Sequence, residues 1–248
     1  MSGHSKWATI KRKKAVTDGR RSSLFTKLIR ELTVATKEGG ANPDGNPRLR
    51  LAITTAKKNS LPKDAMERAI NKGAGNDGAA FQEIVYEGIG AGGIAFMVET
   101  QTDNPNRTVA NLRAAFTRGG GALGTSGSVA YLFERKGQFQ VPAALITDEE
   151  ALTLELIDAG AEDVENDGDL FHVTCPFEQF GSVHAALDRL KLESENSELV
   201  RLPMNTVAVD SETAEKVLKL IDKLEDDEDV AKVFHNLELS EAVMAHLA

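Results

Sequence analysis

The chain has 248 residues, 41% of them apolar and 27% charged, with a net charge of −9. These totals describe an ordinary globular chain with enough residues for two or three cores. A single cysteine, Cys175, excludes a disulfide framework and fits a reducing compartment, and the longest apolar run, Ile94 to Val98, is too short to span a membrane. The chain therefore reads as cytoplasmic with no membrane partner. The first thirty residues carry nine Lys or Arg against one acid, Asp18. Residues 1–77 hold 17 basic and 7 acidic side chains, net +10, which leaves 12 and 31, net −19, for residues 78–248. Such segregation points to a polyanion as the partner of the N-terminal part.

From Ser22 the spacing of Leu24, Leu28, Leu32 and Ala35 predicts a helix capped by Ser22 or Ser23 and ended at Gly39-Gly40. Pro47 at a first helical position after Asn46 opens a second helix with Leu49, Ala52, Ile53 and Ala56 inward. Pro62 opens a third, with Ala65, Met66, Ala69 and Ile70 inward, stopped at Gly73, and residues 73–78 read as a linker. Arg48, Arg50, Lys57, Lys58, Lys63, Arg68 and Lys72 are expected to face water and extend the positive surface of this small bundle.

Beyond the linker the period changes. Strands are predicted over 82–87 and 94–101, a helix capped by Asn106 through Arg118, and a strand over 128–133. A second set follows: a strand at 139–141, a helix from Thr147 with Glu150 completing a capping box, two strands flanking Asp167-Gly168, a helix after Pro176 and a strand ending near Leu202. The last stretch predicts a strand at 207–209, a helix at 211–224 and a strand at 232–239. Strands alternating irregularly with helices indicate an α+β fold.

The Lys11-Arg12-Lys13-Lys14 block suits phosphate, because each neutralised phosphate releases condensed counterions. Together with His4, Lys6, Trp7, Arg20, Arg21, Lys27 and Arg30 it makes the candidate nucleic-acid-binding set. Trp7 either stacks on a base or anchors the arm on the bundle. Asn104, Asn106 and Arg107 offer a secondary contact, a helix N-terminus beside an arginine. Gly88-Ile89-Gly90-Ala91-Gly92-Gly93 spells a dinucleotide-binding pattern, but a strand signal follows where a helix is required, so the segment reads as a hairpin turn. His172 and Cys175, three apart on a strand, fall on opposite faces and cannot share a metal. The acidic run from Glu225 to Asp229 lacks the spaced ligands of a calcium loop and reads as a solvated helix end. No paired nucleophile and base is visible, so catalytic, cofactor and metal sites are all expected to be absent.

Several segments together resemble the YebC family: Ser2 through Lys11, Leu24 through Glu31, Asn46-Pro47-Arg48-Leu49-Arg50, and Pro62-Lys63-Asp64 with Glu67-Arg68-Ala69-Ile70. Tyr86-Glu87-Gly88, Asp103-Asn104 with Asn106-Arg107-Thr108, and Gly127-Ser128-Val129-Ala130 extend the likeness over nearly the whole chain. Where members usually show a glycine-lysine pair before the first bundle helix, this chain has Ser22-Ser23. The resemblance implies an N-terminal three-helix bundle and two ferredoxin-like α/β domains, one inserted in the other. The matching divisions here are 1–78, 79–134 with 206–248, and 135–205. It also implies a DNA-binding transcriptional regulator. Relatives such as a mitochondrial translational activator act instead on ribosomes where nascent sequences stall, which makes ribosomal RNA and the ribosome the alternative partners.

Overall fold

The computed structural model describes residues 18–75 and 81–238, with side chains from Ser22 onward. These residues form an α+β fold in two compact units, Phe133–Met204 and the remainder, the first inserted in the second.

In the larger unit, α1 (Asp18–Gly39), α2 (Pro47–Lys58) and α3 (Lys63–Ala74) make a three-helix bundle. Its core is the i, i+3/i+4 set foreseen from spacing, with Leu28, Leu32, Ala35, Leu49, Ala52, Ala56, Met66 and Ala69 buried. The first helix begins at least four residues earlier than expected, so Ser22 and Ser23 lie inside it rather than at its cap, and Leu24 is exposed. Asn46 caps α2 by accepting from the Leu49 N–H at 3.0 Å, and its amide donates to the carbonyls of Ala35 and Gly40 at 2.7 and 2.8 Å. One buried side chain thereby satisfies ends of two helices. Gly73 does not stop α3, which runs on to Ala74. A Cβ there would sit 2.5 Å from the Thr33 carbonyl oxygen, so the residue permits close approach of α1 and α3.

Then follow β1 (Gln82–Ile89), β2 (Ala95–Thr102), α4 (Pro105–Arg118) and the short β3 (Ala122–Leu123), completed after the insert by α7 (Ser211–Glu225) and β8 (Val230–His235). The insert supplies β4 (Phe133–Pro142), α5 (Glu149–Asp158), β5 (Asp163–Asn166), β6 (Leu170–Pro176), α6 (Phe180–Arg189) and β7 (Asn196–Pro203). Both sheets are four-stranded and antiparallel, in the orders β3-β1-β2-β8 and β5-β6-β4-β7. The second order, with a βαββαβ chain, is the ferredoxin-like connection; the first sheet reaches a similar two-layer packing from a chain that opens with a hairpin. In the larger unit Phe96 meets Phe116 edge-on, with centroids 5.5 Å apart, among Leu112, Val217, Leu220, Ile221 and Leu224. In the insert Phe139 stacks on Phe180 at 4.8 Å.

Four element assignments change. Residues 128–132 are not a strand, and β4 begins only at Phe133: the Glu87 carboxylate accepts the N–H groups of Gly127, Val129 and Ala130 at 2.6, 2.7 and 2.9 Å, and these donors are lost to any ladder. Asn104, not Asn106, caps α4, because Pro105 takes the first helical position and the Asn104 side chain accepts from Arg107 N. Asp148, not Thr147, caps α5 by accepting from Ala151 N at 3.0 Å. Residues 207–209 make one parallel bridge, Val207 to Leu237, and β8 ends at His235 because the Asn236 side chain accepts the Ala95 N–H.

The glycine-rich segment is a hairpin connection. Gly88 and Ile89 pair with Phe96 and Ala95, Gly90 N donates to Ile94 O at 2.7 Å, and β2 rather than an α-helix follows. Gly92 has φ +69°, and a Cβ on it would lie 2.8 Å from Thr213 and Val209 side-chain carbons. Gly92→Ala is expected to lower stability by about 1–2 kcal/mol, as for an L-residue forced into the left-handed region. Urea unfolding checks this, and calorimetry with a dinucleotide is expected to show no saturable heat; stoichiometric binding would overturn the hairpin reading.

Candidate nucleic-acid interface

His4, Lys6, Trp7, Lys11, Arg12, Lys13 and Lys14 lie outside the described residues, as do the side chains of Arg20 and Arg21. The remaining cations of the arm and bundle sort into two groups by what surrounds them.

One group faces solvent. On α2, Arg50, Thr54 and Lys57 recur at one-turn spacing and are exposed, with Lys58 beside them. Arg50 donates to the Pro43 and Asp44 carbonyls at 3.2 and 3.1 Å, contacts that leave its charge uncompensated by any carboxylate among the described residues. On α3, Lys63 and Arg68 make only long ion pairs, 3.6 Å to Glu67 and 3.7 Å to Asp64, with all four side chains largely in water. Lys72 stands over the Phe81 ring at 5.7 Å. Exposed pairs of this kind are worth little.

The other group is turned inward. Arg48 does not extend the positive surface: its guanidinium donates to Glu31 at 2.8 and 2.9 Å, to Glu38 at 2.6 Å and to Glu83 at 2.5 and 3.1 Å. Burial works against its charge, but the hydrogen bonds and charges of Glu31 and Glu83 outweigh it and raise the pKa. Arg48 in turn holds Glu83 below the usual carboxylate range. Gln101 joins the cluster by donating to Glu31 and Glu83. Lys27 donates to the Glu225 carbonyl. Arg30, 11% exposed at its side chain, donates through Nη1 to the carbonyls of Gln101 and Glu228 at 2.6 and 2.7 Å and to Asp229 at 2.9 Å, and it stacks on Phe81 at 5.0 Å.

Asp229 is the centre of this junction and not part of a solvated helix end. Only 3% exposed, it also accepts from Arg107 at 2.8 and 2.9 Å, from Thr108 at 2.7 Å and, at 3.4 Å, from Thr102. Burial alone would raise its pKa; the bonds from Thr108, Arg107 and Arg30 overcome that and hold it below the ordinary value. Arg107, also paired with Asp103 at 2.9 Å, is thus committed to the junction, Asn104 to the cap, and Asn106 is exposed. The α4 N-terminus reads as an internal anchor rather than a phosphate cradle. The role of neither Asp229 nor Glu87 stands out in the sequence: one is a member of an acidic run, the other, though within the Tyr86-Glu87-Gly88 likeness, a polar step in an alternating strand.

His172 and Cys175 occupy opposite faces of β6, the first bonded to Asp167 at 2.7 Å and the second buried. Burial pushes the Cys175 thiol up to about 11, so it stays a neutral packing group at ordinary pH. No described helix is long and apolar enough to cross a membrane.

Comparison with known proteins agrees along nearly the whole length. Residues 5–76 match the TACO1/YebC protein N-terminal domain, and residues 81–237 match the TACO1/YebC second and third domain. A probable transcriptional regulatory protein of Chlorobaculum tepidum is 52% identical, covering 100% of this chain and 99% of its own. One so named from Rubrobacter xylanophilus is 49% identical, with 100% of each chain covered. The crystal structure of a conserved hypothetical protein from Aquifex aeolicus superposes with a TM-score of 0.80 at 46% identity, covering 90% of this chain and 93% of that one.

Proposed function

Because this chain belongs to the TACO1/YebC family, we propose that it is a non-enzymatic regulator of gene expression that works in the cytoplasm by binding nucleic acid. The observation that carries the reading is the segregation of charge, +10 over residues 1–77 against −19 over the rest. Its interface is the basic arm, His4, Lys6, Trp7, Lys11, Arg12, Lys13, Lys14, Arg20 and Arg21, continued by Arg50, Lys57, Lys58, Arg68 and Lys72 of the bundle. Lys27 and Arg30 support it from within by fixing α1 against the carbonyls of Glu225, Gln101 and Glu228. The three divisions at 1–78, 79–134 with 206–248, and 135–205 belong to the same reading, with the first as the binding part. The names of the relatives from Chlorobaculum and Rubrobacter favour transcription and hence DNA.

A second reading, a translation factor on ribosomal RNA, is favoured by one feature of the bundle. Base readout in the major groove needs a helix offering Arg, Asn or Gln to base edges. The exposed face of α3 instead interleaves Lys63 and Arg68 with Glu67 and Asp64, and α2 offers charge with little sequence information. Such a surface reads backbone shape. Competition at near-physiological salt among a candidate promoter, random duplex and large ribosomal subunits decides between them. Promoter binding about a thousandfold tighter than random duplex, without ribosome binding, is the transcriptional outcome; weak, unselective duplex binding with tight subunit binding is the translational one. Failure to bind any of the three would remove the nucleic-acid reading itself.

A further inference from the structure

We propose that the outer face of α5 is a docking surface for a basic, amphipathic protein segment, a second interface independent of the nucleic-acid reading. Helix α5 is apolar on both sides. Leu152 and Leu156 point into the insert's core at 6% and 0% exposure, whereas Leu154 and Ile157 are 60% and 51% exposed. At 100° per residue Leu154 lies opposite the buried pair, with Ile157 about 60° and Glu150 about 40° to one side, and Asp158 about 40° and Ala151 about 60° to the other. Two large apolar side chains one turn apart are thus exposed within a rim of carboxylates. Core packing does not require them, since the buried face is complete with Leu152 and Leu156.

Charge identifies the occupant. Residues 133–204 contain 16 Asp and Glu against 5 Lys and Arg, net −11. Three of those five cations are already engaged: Lys136 lies between Glu134 and Glu162 at 2.9 and 2.6 Å, Arg189 pairs with Glu155 at 3.1 Å, and Arg135 stacks on Phe177 at 3.8 Å. The surplus acid repels a nucleic-acid backbone and attracts a Lys- and Arg-rich chain, while Leu154 and Ile157 supply the apolar contact that makes such attraction specific. The complementary segment is a helix with apolar residues at one-turn spacing and cations beside them, laid along α5.

The test uses the full chain and two synthetic peptides of lysine and leucine with one composition. One carries its leucines at helical one-turn spacing; the other is permuted so that they share no face. At about 150 mM salt, where long-range attraction is largely screened, the amphipathic peptide is expected to bind at least tenfold more tightly than the permuted one. Its amide-shift footprint is expected on residues 149–158. Leu154→Ser with Ile157→Ser, both surface changes, should reduce that affinity at least tenfold while circular dichroism stays unchanged. Equal affinity for the two peptides, a footprint elsewhere, or an unaffected double variant would each overturn the proposal. Sedimentation showing a self-association abolished by the same variant would also overturn it, by assigning the face to a second copy of the chain.

Discussion

Asp229→Ala is expected to destabilise the protein by about 3–5 kcal/mol, the usual cost of removing one partner from a buried ion pair. The carboxylate is almost completely covered, and its loss takes from the Arg30 guanidinium, itself nearly buried, the carboxylate it pairs with, leaving it the carbonyls of Gln101 and Glu228, and takes one acceptor from the Thr108 hydroxyl. Two further outcomes distinguish a buried charge from simple packing. Arg107→Gln should cost far less, since Arg107 is half exposed and water can replace what it gives up. The pH dependence should also change. A carboxylate whose pKa is depressed on folding contributes stability that is complete above its unfolded value of about 3.9 and is lost as pH falls through the lower folded value. Urea midpoints of the wild type should therefore decline below about pH 4 more steeply than those of Asp229→Asn. Parallel pH profiles would show that Asp229 is not the charged centre of the junction.

The second large effect concerns the arm. Replacing Lys11, Arg12, Lys13, Lys14, Arg20 and Arg21 together by Gln should weaken binding to every nucleic acid, and most strongly at low salt. Every phosphate that is no longer neutralised lowers the slope of log K against log salt by roughly 0.7 to 0.9, so six of them amount to a change of about 4 to 5. Stability should hardly move, which distinguishes this variant from changes at Asp229. Filter binding or fluorescence anisotropy across a salt series gives the slope; an unaltered slope would remove the arm from the interface.

The arm is legible in the sequence and the Asp229 junction is not. The helices of the bundle are readable because Leu28, Leu32, Leu49, Ala52 and Met66 repeat with the period of a helix and Pro47 and Pro62 mark starts. Most strands of both sheets are readable from alternation; the two-residue β3 is too short to alternate and is not among those expected, and the strands expected at 128–132 and 207–209 do not form. There the backbone donors and acceptors go elsewhere, to Glu87 and to a single bridge with the segment after β8, and apolar patterning carries no record of where an N–H is spent. The positive character of residues 1–77 follows from composition alone. Which cations remain available does not: Arg48 and Arg50 are two residues apart and look equivalent, yet one is held by three carboxylates, from α1 and β1, and the other faces solvent. Pairing across distant parts of a chain depends on tertiary position, and composition holds no trace of it.

The pairing of β4 with β7 has a consequence for how the chain assembles. Phe133 stands opposite Pro203, so the insert enters and leaves through two neighbouring antiparallel strands. The host sheet needs β8 against β2, and the two are separated by an insert, residues 133–204, that belongs to neither. Were those residues a flexible loop, closing it would cost roughly 3 kcal/mol more than closing a tight turn, at about 0.6 kcal/mol per doubling of length. Once the insert has folded on its own core, its paired ends act as that tight turn. The paired ends of the insert thus spare the host sheet most of that closure entropy, and a swap of residues 133–204 for a short hairpin should leave the host sheet able to form.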